Sequence, residues 1–459
     1  MAIHQISRRR FLRTAALGAG GLLAACAPGS GAVQQQEGQP EAPPQEGTLL
    51  RYWSSWGGEG YTSAWEAIQQ LDGFKEALGN NTLEIKTAVG EEPMLTAIAG
   101  GDPPETGTNI NYLGFIGRGV LMPITSLLDV STKTKPADFI EGNWGVGAYK
   151  GVQYGIPTQE CFLRFGLNYN ADLVEQAGLD PDQPPETWEE LYAWHEKLTK
   201  KDSAGNLERV GTNPYGAMGE GFWDMDGWMA PTSFGWNWFD DMTGKFNLNT
   251  PEMVEVFKTF KMFIDLVGPD NLAAMYNVEG RDTWGGAYNS EVEATIIEGY
   301  WHPGETSHDK PEVAAKNRAS WLPVPASRKG TKVQGAGGHI WTMFKDSKNP
   351  NGMWPIAEFM NTVEPCNILW EKQGWLPAVK SFIEGVDPGK YPGLDFYFKS
   401  MTETTEWHSA ARCEITAFAS NEYLNIKEKV NRDEMTPEQA AEEFQKRCEE
   451  EYKNAGFAS

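Results

Sequence analysis

From residue 48 onward, apolar and polar positions switch between two periods. Thr48-Leu49-Leu50-Arg51-Tyr52-Trp53 is a short apolar run of strand length. Tyr61 to Leu78 follows with helical spacing, Trp65, Ile68 and Leu78 being among its apolar positions. Leu83 to Val89 reads as a second strand, and Met94 to Ala99 as a short helix. Such alternation predicts βαβ units around a mainly parallel sheet.

Helix starts are marked further along. Thr187-Trp188-Glu189-Glu190 and Thr436-Pro437-Glu438-Gln439 are capping boxes. In each the Thr hydroxyl takes one orphan N–H and the Glu or Gln reaches back to another. Thr250-Pro251 places a cap before a proline at the first helical position. Met253, Val256, Phe257, Phe260, Phe263, Ile264 and Val267 then form a wide apolar face for core packing. Pro355 lies in a helical segment after Asn349 and predicts a kink, since it lacks an N–H.

The first 47 residues do not follow these patterns. Ser7-Arg8-Arg9-Arg10-Phe11-Leu12 is a twin-arginine export signature. The apolar run Thr14–Ala25 is too short to span a bilayer, which takes about 20 residues. It ends in Leu23-Ala24-Ala25-Cys26, which resembles a bacterial lipobox whose cysteine carries lipid. Residues 1–25 are therefore expected to be a signal peptide, and Cys26 the membrane anchor, against the alternative of an ordinary cleavage site. Residues 26–47, rich in Pro, Gln and Gly, read as a disordered tether with a reach of roughly 25 Å.

The 459 residues exceed one comfortable domain and favour two or more lobes. Net charge is -24, and loss of residues 1–25 removes four arginines and no acid, which deepens it to -28. Such a chain repels phosphates, so no nucleic-acid partner is expected. Cys161, Cys366, Cys413 and Cys448 have no C-x-x-C spacing, and the three pairings that four cysteines allow stay open.

Several segments carry a family resemblance. Ala97-Ile98-Ala99-Gly100-Gly101-Asp102-Pro103-Pro104-Glu105 looks like an "AxAGGDPPD" turn, with Glu105 in place of the usual Asp. Gly119–Ile124 resembles "G-x-L-x-P-L", and Tyr149–Pro157 resembles a crossover into a second lobe. Asn168–Leu173 looks like "YNxDL", and Ala177-Gly178-Leu179 with Pro184–Leu191 looks like "AGL…PPxTWxEL". Glu298-Gly299-Tyr300-Trp301, Gly337-Gly338, Lys345–Pro350 and Gly374–Ala378 complete the series in order. Together they resemble the carbohydrate-type extracellular solute-binding proteins of ABC importers, the broad group that includes maltose-binding protein.

That resemblance implies an α/β, two-lobed periplasmic-binding-protein-like fold, with a ligand cleft between lobes joined by hinge segments. Lobe one would take residues 48–155 and 325–370, and lobe two residues 156–324 and the C-terminal helices of 371–459. It also implies a monomer that binds a carbohydrate, closes on it, and passes it to permease subunits outside the membrane.

A sugar site needs flat aromatic rings for C–H faces and fixed polar groups for hydroxyls. Ser55, Trp56 and Glu59 follow the first strand, and Asn111 and Tyr112 follow a later short one. Trp223, Asp224 and Trp228 form an aromatic–acid loop. Trp284, Trp301, Gly338 and Trp375 add candidates, and the resemblance gives Trp301 the stacking role. Glu160 is read at the start of the strand after the crossover, and Arg412 as a clamp or a structural ion pair. Trp53, Trp65, Trp188 and Trp194 are read as core or rim.

The six histidines are dispersed, with His302 and His308 in a Gly/Pro loop, so neither metal nor cofactor is expected. H-E-x-x-H, G-x-S-x-G and Walker patterns do not occur, and no catalytic residue is assigned. The alternatives are a binder of a peptide, polyamine or metal chelate and, behind them, an exported glycoside hydrolase.

Overall fold

The computed structural model describes residues 47–215, 229–276, 285–408 and 411–458. The export signature, Cys26 and the tether lie outside them, as do Trp223, Asp224, Trp228 and Trp284.

Two five-stranded sheets organise the molecule. The first runs Thr82–Lys86, Leu49–Ser54, Thr106–Thr108, Ile340–Met343, Gly155–Pro157. The second runs Asn317–Ser320, Leu167–Asn170, Glu293–Ile297, Leu207–Thr212, Lys200–Lys201. Neither is mainly parallel. Leu49–Ser54 pairs in parallel with both neighbours, but Ile340–Met343 returns antiparallel to both of its own. The second sheet has one parallel pair, Glu293–Ile297 with Leu207–Thr212. The cause is connectivity: Ile340–Met343 and Leu167–Asn170 each follow a crossing from the other lobe and run opposite to both neighbours, while Lys200–Lys201 pairs with Leu207–Thr212 through a local hairpin.

The expected helix over 61–78 is two, Glu59–Ile68 and Asp72–Leu78, because Leu71 between them is extended. The break turns Phe74 inward, edge-on to Phe359 at 6.2 Å. The second strand stops at Lys86, and Ala88 and Val89 bond instead to the Trp56 and Ser54 carbonyls. Both capping boxes form, with Glu190 N–H to Thr187 Oγ1 and Gln439 N–H to Thr436 Oγ1 each at 3.2 Å. The helix Pro251–Val267 buries all seven residues of its apolar face. Pro355 falls inside the helix Pro350–Phe359. Trp53, Trp65, Trp188 and Trp194 are buried.

His302 and His308 are not in a loop. Trp301–Asp309 is a helix, and Pro303 sits in its first turn, where a missing N–H leaves no bond unmade. Among the described residues no disulfide forms, and Cys161, Cys366, Cys413 and Cys448 are all buried. No helix among them is long and apolar enough to cross a membrane, and no group of three or more His, Cys, Asp or Glu is placed to hold a metal.

Candidate functional site

The lobes meet along paired crossing segments. Thr158 and Arg164 donate backbone bonds to His339 and Gly335, while Gly337 and His339 donate to Phe162 and Glu160. A third segment joins them, where the Cys161 N–H reaches the Leu376 carbonyl. Gly338 belongs to this ribbon. Its φ is +127°, and a Cβ there would come within 2.5 Å of the Cys161 backbone. It is a close-approach residue with the task of letting two backbones touch.

A cavity of about 890 Å³ opens beside the ribbon. Ser55, Trp56 and Glu59 line it from the carboxyl end of the first strand, as open α/β sheets place ligands. Glu160, Arg164 and His339 line it from the crossings, Lys372 and Gln373 from the last turn of the helix Val363–Gln373, and Trp375 from just beyond it. Trp301, Glu305, His308 and Asp309 line it from one helix. Their spacing of four and then three or four residues is a single helical face.

Aromatic rings make one wall. Trp56 lies 4.8 Å from Trp375 and edge-on to His339 at 4.9 Å. Trp56 is half-buried, whereas Trp301 and Trp375 are nearly enclosed. The Trp301 ring is held on one side by the Arg164 guanidinium, 4.3 Å from its centroid. Gly299 leaves room for it: a Cβ would come within 1.9 Å of the ring. Gly299 does not have a positive φ, so it serves space rather than an unusual turn.

Polar groups are fixed by one another. Glu160 accepts from Arg164 Nη1 at 2.8 and 3.0 Å, both side chains being buried. His339 Nε2 lies 3.4 Å from the same carboxylate. The Trp375 indole N–H donates to Glu305 at 2.8 Å. Removal from water pushes the Glu305 carboxyl up to about 8, and the Glu160 charge adds to the rise. Tyr300 OH donates to the Leu376 carbonyl and accepts from the Leu376 N–H, which ties the third crossing to the strand end before Trp301.

Six sequence candidates therefore share one cavity: Ser55, Trp56, Glu59, Glu160, Trp301 and Trp375. Glu160 reaches it from the crossing between strands, and not from a strand start. Asn111 lines a neighbouring cavity and also caps the helix Tyr112–Gly117, accepting from Gly114 N–H at 3.1 Å. Tyr112 is buried in the core of the first lobe. Arg412 is outside both cavities; it donates to the Gly145 carbonyl at 2.7 Å and lies 3.9 Å from Asp241. Arg164, Glu305 and His339 were not singled out from the sequence. Reading 301–309 as a helix would have exposed Glu305, one turn after Trp301.

Comparison with known proteins agrees with this architecture. Structures sharing the fold include CpMnBP1 with mannotriose bound, at a TM-score of 0.74 and 21% identity, covering 87% of this chain and 99% of that one. The ABC substrate-binding protein Lmo0181 from Listeria monocytogenes, in complex with cycloalternan, gives 0.69 at 20% identity, covering 90% and 100%. Among curated proteins, the sn-glycerol-3-phosphate-binding periplasmic protein UgpB of Salmonella typhimurium is 26% identical over 248 residues. The protein of that name from Escherichia coli K12 is 24% identical over 249. Each match takes in 51% of this chain and 52% of the relative, so the chain spans about half the length of the curated relatives it matches. The model of the bacterial extracellular solute-binding proteins matches residues 56–364, which hold both sheets except for the strand Leu49–Ser54, and most of the cavity wall; the chain belongs to that family.

Proposed function

We propose that the protein captures a carbohydrate in this cleft and delivers it to the permease of an ABC importer. One observation carries the reading: three tryptophans and a set of mutually fixed polar groups face a single cavity between lobes. Rings of that kind match pyranose C–H faces, and the polar groups match hydroxyls. A phosphate ester, suggested by the names of the curated relatives, fits less well. The lining holds four acidic side chains, Glu59, Glu160, Glu305 and Asp309, against Arg164 and Lys372, and Arg164 is already paired with Glu160.

The lobes of this reading exchange near residues 155, 325 and 370, and supporting the first two exchanges are the strands Gly155–Pro157 and Ile340–Met343 in the first sheet and Asn317–Ser320 in the second. The function is binding without catalysis, performed by a monomer held outside the membrane by lipid on Cys26. Cys26→Ser should stop palmitate labelling and release the protein from the membrane fraction; continued labelling of a mature product contradicts the anchor. A thermal-shift panel on residues 48–459 tests the ligand, with mono- and oligosaccharides beside glycerol 3-phosphate. A ligand that binds only the folded form raises the melting temperature. A rise with glycerol 3-phosphate alone would overturn the carbohydrate reading, and sugar hydrolysis would overturn the binding-only one.

A further inference from the structure

Charge is unevenly shared around the large cavity. Of its acidic side chains, Glu160 is matched by Arg164, while Glu59 and the cation Lys372 both belong to its exposed rim. Glu305 and Asp309 are left over. Among the described residues neither joins an ion pair, and Lys390, beside the Tyr391 that meets His308, is held by Glu371 at 2.6 Å. Loss of water contact lowers the His308 pKa, so this ring adds no cation at neutral pH.

The placement of the two acids runs against helix stability. They lie four residues apart on the helix Trp301–Asp309 and share one face, a like-charge spacing that weakens a helix. Asp309 is also the last helical residue, where the macrodipole favours a cation. A helix that served packing alone would gain from Lys or Arg at that end. Here the negative end and both acids border the cavity.

Aromatic faces meet this acid. The Trp375 indole N–H donates to Glu305 Oε1 at 2.8 Å, which leaves Oε2 able to accept from a ligand. Trp56 lies against Trp375, their centroids 4.8 Å apart. Burial raises the Glu305 carboxyl, and Arg164 offsets only part of the rise. A ligand cation would compensate the carboxylate, and tryptophan faces attract cations as well. A neutral hydroxyl can take up the Glu305 oxygen, but it leaves the Asp309 charge and the helix end unanswered.

We infer that the ligand is an amino sugar, whose ammonium group sits against Glu305 and Asp309 while its ring lies on the tryptophans. This rests on the carbohydrate reading above and names the class of sugar. It accounts for acid and aromatic surface in one cavity.

The test is calorimetry on the whole chain at pH 7. Glucosamine, galactosamine and mannosamine and the corresponding disaccharides are each measured beside the neutral sugar and the N-acetyl derivative, with spermidine as a cation that is not a sugar. N-acetylation keeps the nitrogen and removes its charge. In the set that binds, the amine should bind at least about tenfold more tightly than both counterparts. Glu305→Gln should cut that preference to within about threefold, and Asp309→Asn should lower it at least about twofold. A wild-type protein that binds the neutral or N-acetyl sugar as tightly as the amine overturns the amino-sugar inference and leaves the carbohydrate reading standing. A preference that both folded variants keep in full overturns it too. Should Glu305→Gln not fold, Asp309→Asn decides, because Asp309 is exposed: an undiminished preference overturns the inference. If no sugar binds, whether or not spermidine does, the carbohydrate reading fails and the inference with it.

Discussion

Trp301 shows how one side chain can serve packing and recognition together. It is nearly enclosed, gripped by Arg164 and seated on Gly299, yet it lines the cavity. Trp301→Ala should therefore lower the melting temperature, since burying a large aromatic contributes about 3–5 kcal/mol. It should also weaken ligand binding by more than about tenfold, as loss of a buried Trp anchor does. Calorimetry and a ligand-free melt on one preparation separate the two effects; a lower melt with intact affinity would make Trp301 core alone. Gly299→Ala should act more narrowly by displacing the indole. Glu305 has a different signature. Its carboxyl is raised to about 8 in the folded protein against an ordinary 4.5, so folding takes up a proton between those values. The stability it supplies is present in full below about 4.5 and is lost as pH rises through about 8. Glu305→Gln keeps an acceptor for Trp375 and should flatten that decline in melts from pH 5 to pH 9. Trp56, Glu160 and Trp375 were legible because they flank recognisable motifs. Arg164 and His339 were not, since the ring that Arg164 grips, Trp301, and the carboxylate beside His339, Glu160, each come from far along the chain.

At the level of elements, local signals transferred best. Thr187 and Thr436 announced their helices by chemistry confined to four residues, and both boxes close. Thr187→Ala should cost about 1 kcal/mol. The urea midpoint should fall with its slope unchanged, because the surface exposed on unfolding is the same. Sheet direction was less legible. Whether Ile340–Met343 enters parallel or antiparallel depends on a crossover that no window of neighbouring residues contains. The helix Trp301–Asp309 was hidden for another reason: Pro303 and Gly304 suggest a loop until the first turn's tolerance for proline is applied. Two buried histidines set the acid limit of these elements. His195 accepts from Thr212 N–H at Nδ1, and its Nε2 lies 3.0 Å from the Phe263 carbonyl, which fixes the neutral tautomer. Burial lowers its pKa to about 4 and that of His302 to about 3. Their stabilising contribution holds above about 6.5 and is lost as pH falls through those values. Substituting His195 with Gln should flatten the melt profile between pH 6.5 and 4.

For the whole molecule, the crossings govern motion. Hinge closure around ligand is the established behaviour of periplasmic binders. The radius of gyration from solution scattering should shrink at saturating sugar. An unchanged radius would describe a fixed cleft. The two-lobed plan was legible from ordered motifs spread over the chain, whereas the pairing of Thr158–Arg164 with Gly335–His339 was not, because it joins positions about 175 residues apart.

The strand Ile340–Met343 has a consequence for biosynthesis. It lies between Thr106–Thr108 and Gly155–Pro157, so the first sheet has a gap at its middle until residue 343 has been made. At about 5–20 residues per second, the nascent chain waits about 10–40 s with two strand edges open. Open edges invite pairing with other chains. A ribosome that stalls before residue 340 therefore releases a sticky half-sheet, and the last strand to arrive acts as the seal on the first lobe.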